Sequence, residues 1–77
     1  MKDKLLIKVI GEELRSRRRE KDLTQEYIAY RLGYKDKSSY AKLERGEVDS
    51  FDLQLLISIC LILDVSSLEL LKRCNIN

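Results

Sequence analysis

A short polar segment, residues 37 to 42, carries the side chains whose chemistry is most informative in this sequence. Lysine can donate hydrogen bonds to O6 or N7 of guanine, and serine can bond base edges or phosphates. If the segment is helical, Tyr40 and Leu43 lie three residues apart on one face and point into a core. The side chains left facing outward are Lys37, Ser38, Ala41 and Lys42. They could read base edges of duplex DNA, or the lysines could contact only phosphates and read no sequence.

Two predicted helices precede this segment, and a third contains it. Apolar residues at spacing four, Leu6, Ile10 and Leu14, predict a first helix over about 5–20. A second helix begins after Thr24, whose hydroxyl can cap it, and ends at Gly33. The third covers about 37–45, is closed by Gly46, and has Asp36 or Ser38 as a candidate cap. Because so few residues join the second and third helices, they must cross steeply, as in a helix-turn-helix over about 24–45.

Two further helices follow. Asp52 is a plausible cap for a fourth helix over about 53–63, with Leu53, Leu56, Cys60 and Leu63 as its core stripe. The sequence from Ser66 to Glu69 is a capping box that predicts the start of a fifth helix, which continues to about residue 73. Residues 75–77 are expected to form a frayed tail. The chain, 1–77, is therefore predicted to be one all-α domain of five helices.

The run from Leu23 to Gly33, followed by Leu43-Glu44-Arg45-Gly46, resembles the phage-repressor and Cro-type helix-turn-helix family, also called the xenobiotic-response-element family. The similarity extends to Leu63-Asp64-Val65-Ser66, where the family usually has Leu-Gly-Val-Ser. It covers roughly residues 6–72 and implies a five-helix, lambda-repressor-like fold that binds duplex DNA. The segment from Gly33 to Glu44 is one residue longer than the commonest family spacing, which leaves the register of the recognition helix open by one residue.

The resemblance also implies roles for particular residues. Those placed to contact bases in the major groove are Lys37, Ser38, Ser39 and Lys42. Gln25 matches a residue that binds a backbone phosphate, where the helix N-terminal amides already favour an anion. Thr24 is a further phosphate candidate. Weaker candidates are Lys35, Arg45, Arg31 and the cluster from Arg15 to Arg19, most of which a solvated surface explains better. Arg18 and Glu44 match a partly buried, structural salt bridge.

The fourth predicted helix is more apolar than a monomer needs. Beyond its core stripe, Leu55, Ile59 and Ile62 are apolar and fall towards the opposite side. A helix that is hydrophobic all round is buried all round, and a second copy is the simplest cover. The sequence therefore predicts a homodimer through helices four and five, with Leu55, Ile59 and Ile62 at the interface. The alternative is a protein-interaction module, such as an antitoxin-like or adaptor domain, in which this surface binds a different protein.

Charge distribution and composition limit the classes of function that the sequence supports. Residues 1–45 hold 13 Lys and Arg against 8 Asp and Glu, whereas residues 46–77 hold 2 against 5. On charge alone, the basic half could bind an anionic polymer or could be a well-solvated helical surface. No histidine, phosphate loop or cysteine–base arrangement is present, so we expect no enzyme, no cofactor and no metal site. Cys60 is interpreted as a buried residue and Cys74 as a tail thiol. With no membrane-spanning stretch or signal peptide, a cytoplasmic location is expected.

Overall fold

The computed structural model describes residues 3–74, and five α-helices form within that range. They are α1 (Lys4–Glu20), α2 (Gln25–Arg31), α3 (Ser38–Arg45), α4 (Leu53–Leu63) and α5 (Ser67–Arg73). The predicted all-α, five-helix architecture is confirmed, and α4 has the bounds that the sequence predicts. The tail at 75–77, for which fraying is predicted, lies outside the described residues.

Side chains cap the helices largely where the sequence places them. Thr24 Oγ1 accepts a hydrogen bond from the amide of Tyr27 at 3.0 Å, and Asp52 caps α4 by accepting from Gln54. Ser66 Oγ accepts from the amide of Glu69 at 3.3 Å, so the Ser66 half of the predicted capping box forms. Each bond satisfies an amide that has no partner within its own helix. The three predicted caps are therefore confirmed.

The start of α3 resolves the choice between Asp36 and Ser38. The Asp36 carboxylate accepts from the Ser38 amide at 2.9 Å and also from the Ser38 hydroxyl. Lys37 occupies the N-cap position itself and makes no side-chain capping bond. These two bonds lower the pKa of Asp36, the hydroxyl of Ser38 having the largest effect. Asp36 is therefore the capping side chain, and Ser38 is the first residue of the helix.

The core contains residues from all five helices, and it corrects several expectations. In α4, Ile59 is fully buried and Leu53 is 60% exposed, the reverse of the predicted assignment. Ile59 is therefore excluded from any interface with a second molecule. Ala41 is buried although the pattern of α3 placed it outward, and Cys74 is buried rather than a tail thiol. Ile7 and Phe51 are buried core residues that the apolar pattern did not identify.

Gly11 allows α1 and α3 to pack unusually closely. It is buried in the middle of α1, directly against the backbone of Leu43 and Glu44. A β-carbon at this position would lie 2.5 Å from the carbonyl oxygens of both residues. A glycine within a helix costs about 1 kcal/mol relative to alanine. Here its lack of a side chain sets the distance between the first helix and the third.

Asp64 ends α4 in the left-handed conformation, with φ of 56°, which favours glycine. A residue with a β-carbon is strained there, whereas glycine is not. We expect Asp64→Gly to raise the free energy of unfolding by up to about 1 kcal/mol, which a thermal melt would measure as a higher Tm. Asp64→Ala is the control and is expected to lower Tm, since it keeps the strain of a β-carbon and loses the polar side chain that helps aspartate adopt this conformation. A lower Tm for the glycine variant would contradict the prediction.

Within residues 3–74, no single helix is long and apolar enough to cross a membrane. The consecutive helices α4 and α5 reach that length and composition only as a pair that is bent by 104°.

Candidate nucleic-acid interface

The segment from α2 to α3 is a tight helix–turn–helix unit. Gly33 adopts φ of 84°, which ends α2, and the amide of Tyr34 donates back to the carbonyl of Ala29 at 3.0 Å. Residues 35 and 36 then form a bend before α3 begins at Ser38. At the other end, Gly46 closes α3 with φ of 72°. Two glycines in left-handed conformations therefore fix where α2 stops and where α3 stops.

One face of α3 is polar and open to solvent. The residues predicted to contact bases are all exposed: Lys37, Ser38, Ser39 and Lys42. Tyr40 and Leu43 are buried in the core, as their spacing predicts. Because successive residues are 100° apart, Ser38, Lys42 and Arg45 share one side of the helix. Lys37, Ser38 and Ser39 are therefore exposed at the start of α3, and Lys42 follows one turn later near the middle of the exposed face.

Beneath α3, a buried ion pair connects it to α1. Arg18 Nε donates to Glu44 Oε2 at 2.8 Å and Nη2 donates to Oε1 at 3.2 Å, while Nη1 donates to the carbonyl of Leu23. Arg18 is 9% exposed and Glu44 4%. The pair places two charged hydrogen bonds where water does not compete for them. The predicted salt bridge is present, and it is more deeply buried than the sequence indicated.

Gln25, predicted to bind phosphate, belongs to the same network. Its Nε2 donates to Glu44 Oε1 at 2.9 Å, and the residue is half-buried. An amide nitrogen carries two hydrogens, so one remains to donate to a ligand. Gln25 is the first residue of α2, hence its side chain is held at the helix end where backbone amides favour an anion.

Electrostatics keep Glu44 ionised. Burial opposes its ionisation, but the hydrogen bonds from Arg18 and Gln25 outweigh burial and hold the pKa of Glu44 below its ordinary value. The bond to Glu44 likewise raises the pKa of Arg18. Nearby, burial raises the pKa of the Tyr40 hydroxyl, and the Glu44 carboxylate adds to the effect. The underside of α3 is therefore a fixed arrangement of charges that persists through neutral pH.

The remaining phosphate candidates lie around α3 in different situations. Thr24 uses its oxygen as the cap of α2, which leaves the hydroxyl proton to donate elsewhere. Lys35 is exposed in the turn before α3. Arg45 Nε donates to Glu47 Oε2 at 3.0 Å, an exposed pair that a phosphate could replace at little cost. No group of three or more metal-ligating side chains is assembled between residues 3 and 74.

Residues 9–73 match the family model of the helix-turn-helix domain. The chain belongs to this helix-turn-helix domain family. It is also similar to the crystal structure of the clp gene regulator ClgR from C. glutamicum, with 29% sequence identity and a TM-score of 0.82. That match covers 90% of this chain and 87% of the other. No curated relative matches the chain. The predicted resemblance to Cro-type helix-turn-helix proteins is thereby confirmed.

The sequence analysis did not identify two residues that shape the candidate interface of this helix-turn-helix domain. Gly11 sets the approach of α1 to α3, and the signal for it was a glycine inside an otherwise regular helical pattern. Asp36 was considered only as a cap, yet it also holds the hydroxyl of Ser38 at the exposed end of α3. That bond uses the donor of Ser38, so its oxygen is left to accept.

Proposed function

We propose that the protein is a cytoplasmic, sequence-specific DNA-binding transcriptional regulator that places α3 in the major groove of duplex DNA. The observation that carries the proposal is the exposed face of α3, a helix anchored from beneath by Glu44. The side chains proposed to contact bases there are Lys37 at the N-cap, Ser38, Ser39 and Lys42. The similarity to the clp gene regulator ClgR supports a regulatory role. Gln25, Thr24, Lys35 and Arg45 would contact phosphates at the edges of the groove. The protein acts by binding and not as an enzyme.

Lys42 is the side chain we assign to base recognition, because it lies near the middle of the exposed face. Selection from a random duplex library at about 150 mM salt is expected to enrich one recurring site. On that site, Lys42→Ala should weaken binding by about 1–3 kcal/mol, and by much less on a scrambled site.

Lys72, an exposed lysine on α5, provides a charge-matched control for Lys42. We expect Lys72→Ala to leave both affinities nearly unchanged. Equal weakening by Lys42→Ala on selected and scrambled sites would reassign Lys42 to phosphate contact. Failure of the wild-type protein to enrich any site would overturn sequence-specific binding.

We further propose that the regulator is a homodimer and that two copies meet through the solvent face of α4. On that face Leu53, Ile57 and Leu61 are 60%, 41% and 75% exposed and recur every four residues. The half-buried Leu55 and Ile62, which the sequence predicts at the interface, lie at the other border of the core, and the polar Gln54 and Ser58 separate them from this face. Ile59 is not part of the proposed interface because it is buried in the core. The helix, LQLLISICLIL, contains no charged residue. Two identical faces can therefore pack without opposing like charges.

The dimer has a direct test in Leu61, the most exposed apolar residue of α4. Light scattering at tens of micromolar should give twice the mass of one chain for the wild type and one chain for Leu61→Glu, since a two-fold contact would oppose the new charges. Leu5→Glu, at an exposed position on α1, should remain dimeric. A monomeric wild type would contradict the dimer, and a dimeric Leu61→Glu would place the contact elsewhere. In a dimer, selected half-sites should repeat about 34 Å apart.

A further inference from the structure

A charged cleft runs along α1 on the side nearest the end of α3. It has a volume of about 580 Å³, and the buried Arg18–Glu44 pair contributes to its lining. Three helices provide its other main polar residues: Lys8, Arg15, Arg19, Gln25 and Arg45. The cleft therefore extends the polar surface of the helix-turn-helix onto α1, which lies outside that motif.

The arginine cluster of α1 is divided by the fold into three different environments. Arg17 points away from the cleft, where it bonds Glu13 at 2.7 Å and Glu20 at 2.9 Å. Arg18 is buried against Glu44. Arg15 and Arg19 are exposed on the cleft side, and their side chains make no hydrogen bond or ion pair with any residue between 3 and 74. From the sequence, the whole cluster could consist of solvated surface residues with no binding role. In the fold, that explanation is weakest for Arg15 and Arg19.

The cleft is positively charged where a ligand can reach it. Five cationic side chains and three carboxylates line it, which gives a net charge of +2. Two of the carboxylates, Glu44 and Glu47, are already bonded to Arg18 and Arg45. The accessible excess of charge therefore comes from α1, from Lys8, Arg15 and Arg19, opposed only by Glu12. A groove of this sign attracts an anionic polymer.

The position of the cleft decides which anion it would meet. Gln25, the first residue of α2, and Arg45, the last residue of α3, both line the cleft. Arg45 also lies on the exposed side of α3 that carries Lys42, and Gln25 bonds Glu44 on the same helix. A duplex that receives α3 in its major groove has a phosphate backbone along each edge of that groove. Arg15 and Arg19 are four residues apart and thus about 6 Å apart along α1, so both can reach the same strand.

We propose that this cleft holds the DNA backbone beside the base-reading face of α3, with Arg15 and Arg19 donating to phosphate oxygens. The proposal rests on the DNA-binding function proposed above and adds α1 to the interface. These contacts fix the position of the duplex without reading its sequence. Arginine suits the role because its planar guanidinium can donate two parallel hydrogen bonds to a phosphate.

The experiment compares the wild type with the Arg15→Gln/Arg19→Gln variant on the selected site and on a scrambled site, as a function of salt concentration. Loss of two phosphate contacts should lower the slope of log affinity against log salt by about 1.8. At about 100 mM salt the affinity should fall about 10- to 100-fold on both sites. The sequence preference should be unchanged. Circular dichroism melting confirms that the variant is folded.

The matched control is Lys72→Gln/Arg73→Gln, which removes the same charge from exposed positions on α5. It is expected to change the affinity less than about two-fold, since those positions lie outside the cleft. If the α1 variant keeps the wild-type affinity and salt slope while the wild type binds its site, the cleft is not part of the interface. An equal loss in both variants would also overturn the proposal, because net charge alone would explain it. If the wild type binds no DNA, the proposed function itself is wrong.

Discussion

Replacing Glu44 with alanine is expected to lower the free energy of unfolding by about 3–5 kcal/mol, the largest effect of any single change considered for this protein. The substitution leaves the Arg18 guanidinium buried without its counter-charge and removes the acceptor of Gln25. A domain of this length has a total stability of only about 4–12 kcal/mol. Urea unfolding followed by circular dichroism should therefore show a large loss of stability, and the variant is partly unfolded if the wild type is near the lower limit.

Two further variants separate the role of this pair from a general effect of mutation. Arg18→Met combined with Glu44→Leu removes both charges and should cost less than Glu44→Ala alone, because no unpaired charge stays buried. Glu20→Ala removes the exposed partner of Arg17 and should cost less than about 1 kcal/mol. If Glu44→Ala cost no more than Glu20→Ala, the buried pair would have no structural role.

The same carboxylate should also determine part of the acid stability. Glu44 has a lower pKa in the folded protein than in the unfolded chain, where it is about 4.3. Below that value the unfolded state binds more protons, so stability falls as the pH decreases towards the folded pKa of Glu44 and is fully present above about 4.3. Between pH 7 and pH 3, Glu44→Gln should lose less stability than the wild type. Equal losses would assign the acid sensitivity to other carboxylates.

Gly11→Ala is expected to destabilise the protein by about 1–3 kcal/mol, as overpacking does in a core. The new β-carbon would lie 2.5 Å from the carbonyl oxygens of Leu43 and Glu44, and backbone cannot move aside as a flexible side chain can. The sign is informative, since alanine in a helix is intrinsically favoured over glycine by about 1 kcal/mol. A thermal melt should therefore show a lower Tm, even though the helix propensity of α1 rises.

A matched control for Gly11 is available on the exposed side of the same helix. Ser16→Ala also improves helix propensity but adds no atom near α3, so its Tm should be unchanged or slightly higher. DNA affinity offers a second measurement, because separation of α1 from α3 would shift the reading face relative to α2. A Gly11→Ala variant with a raised Tm would mean that α1 and α3 are not in such close contact.

The parts of the fold that depend on neighbours in sequence were predictable. Thr24, Asp52 and Ser66 bond amides two or three residues away, so the residue types alone located the helix starts. Glycines at positions 33 and 46 likewise marked where α2 and α3 end. The exposed polar face of α3 followed from the spacing of Tyr40 and Leu43.

The parts that depend on helical phase or on distant packing were not predictable. Of the eleven residues in α4, only Gln54 and Ser58 are polar, so periodicity could not determine which apolar side faces inward. That is why the sequence placed Leu53 in the core and Ile59 at the surface, whereas the structure has Leu53 exposed and Ile59 buried. The role of Gly11 depends on a helix more than thirty residues away, and no local pattern reports such an approach.

The buried network around Glu44 has a consequence for how the reading surface opens. Through this one carboxylate α3 is bonded to Arg18 of α1 and to Gln25 of α2, so the three helices cannot separate independently. They are therefore expected to behave as one cooperative unit in native-state hydrogen exchange, with the amides of α3 opening together with those of α1. Such a surface is ordered before it meets a ligand, and binding then needs little loss of conformational entropy.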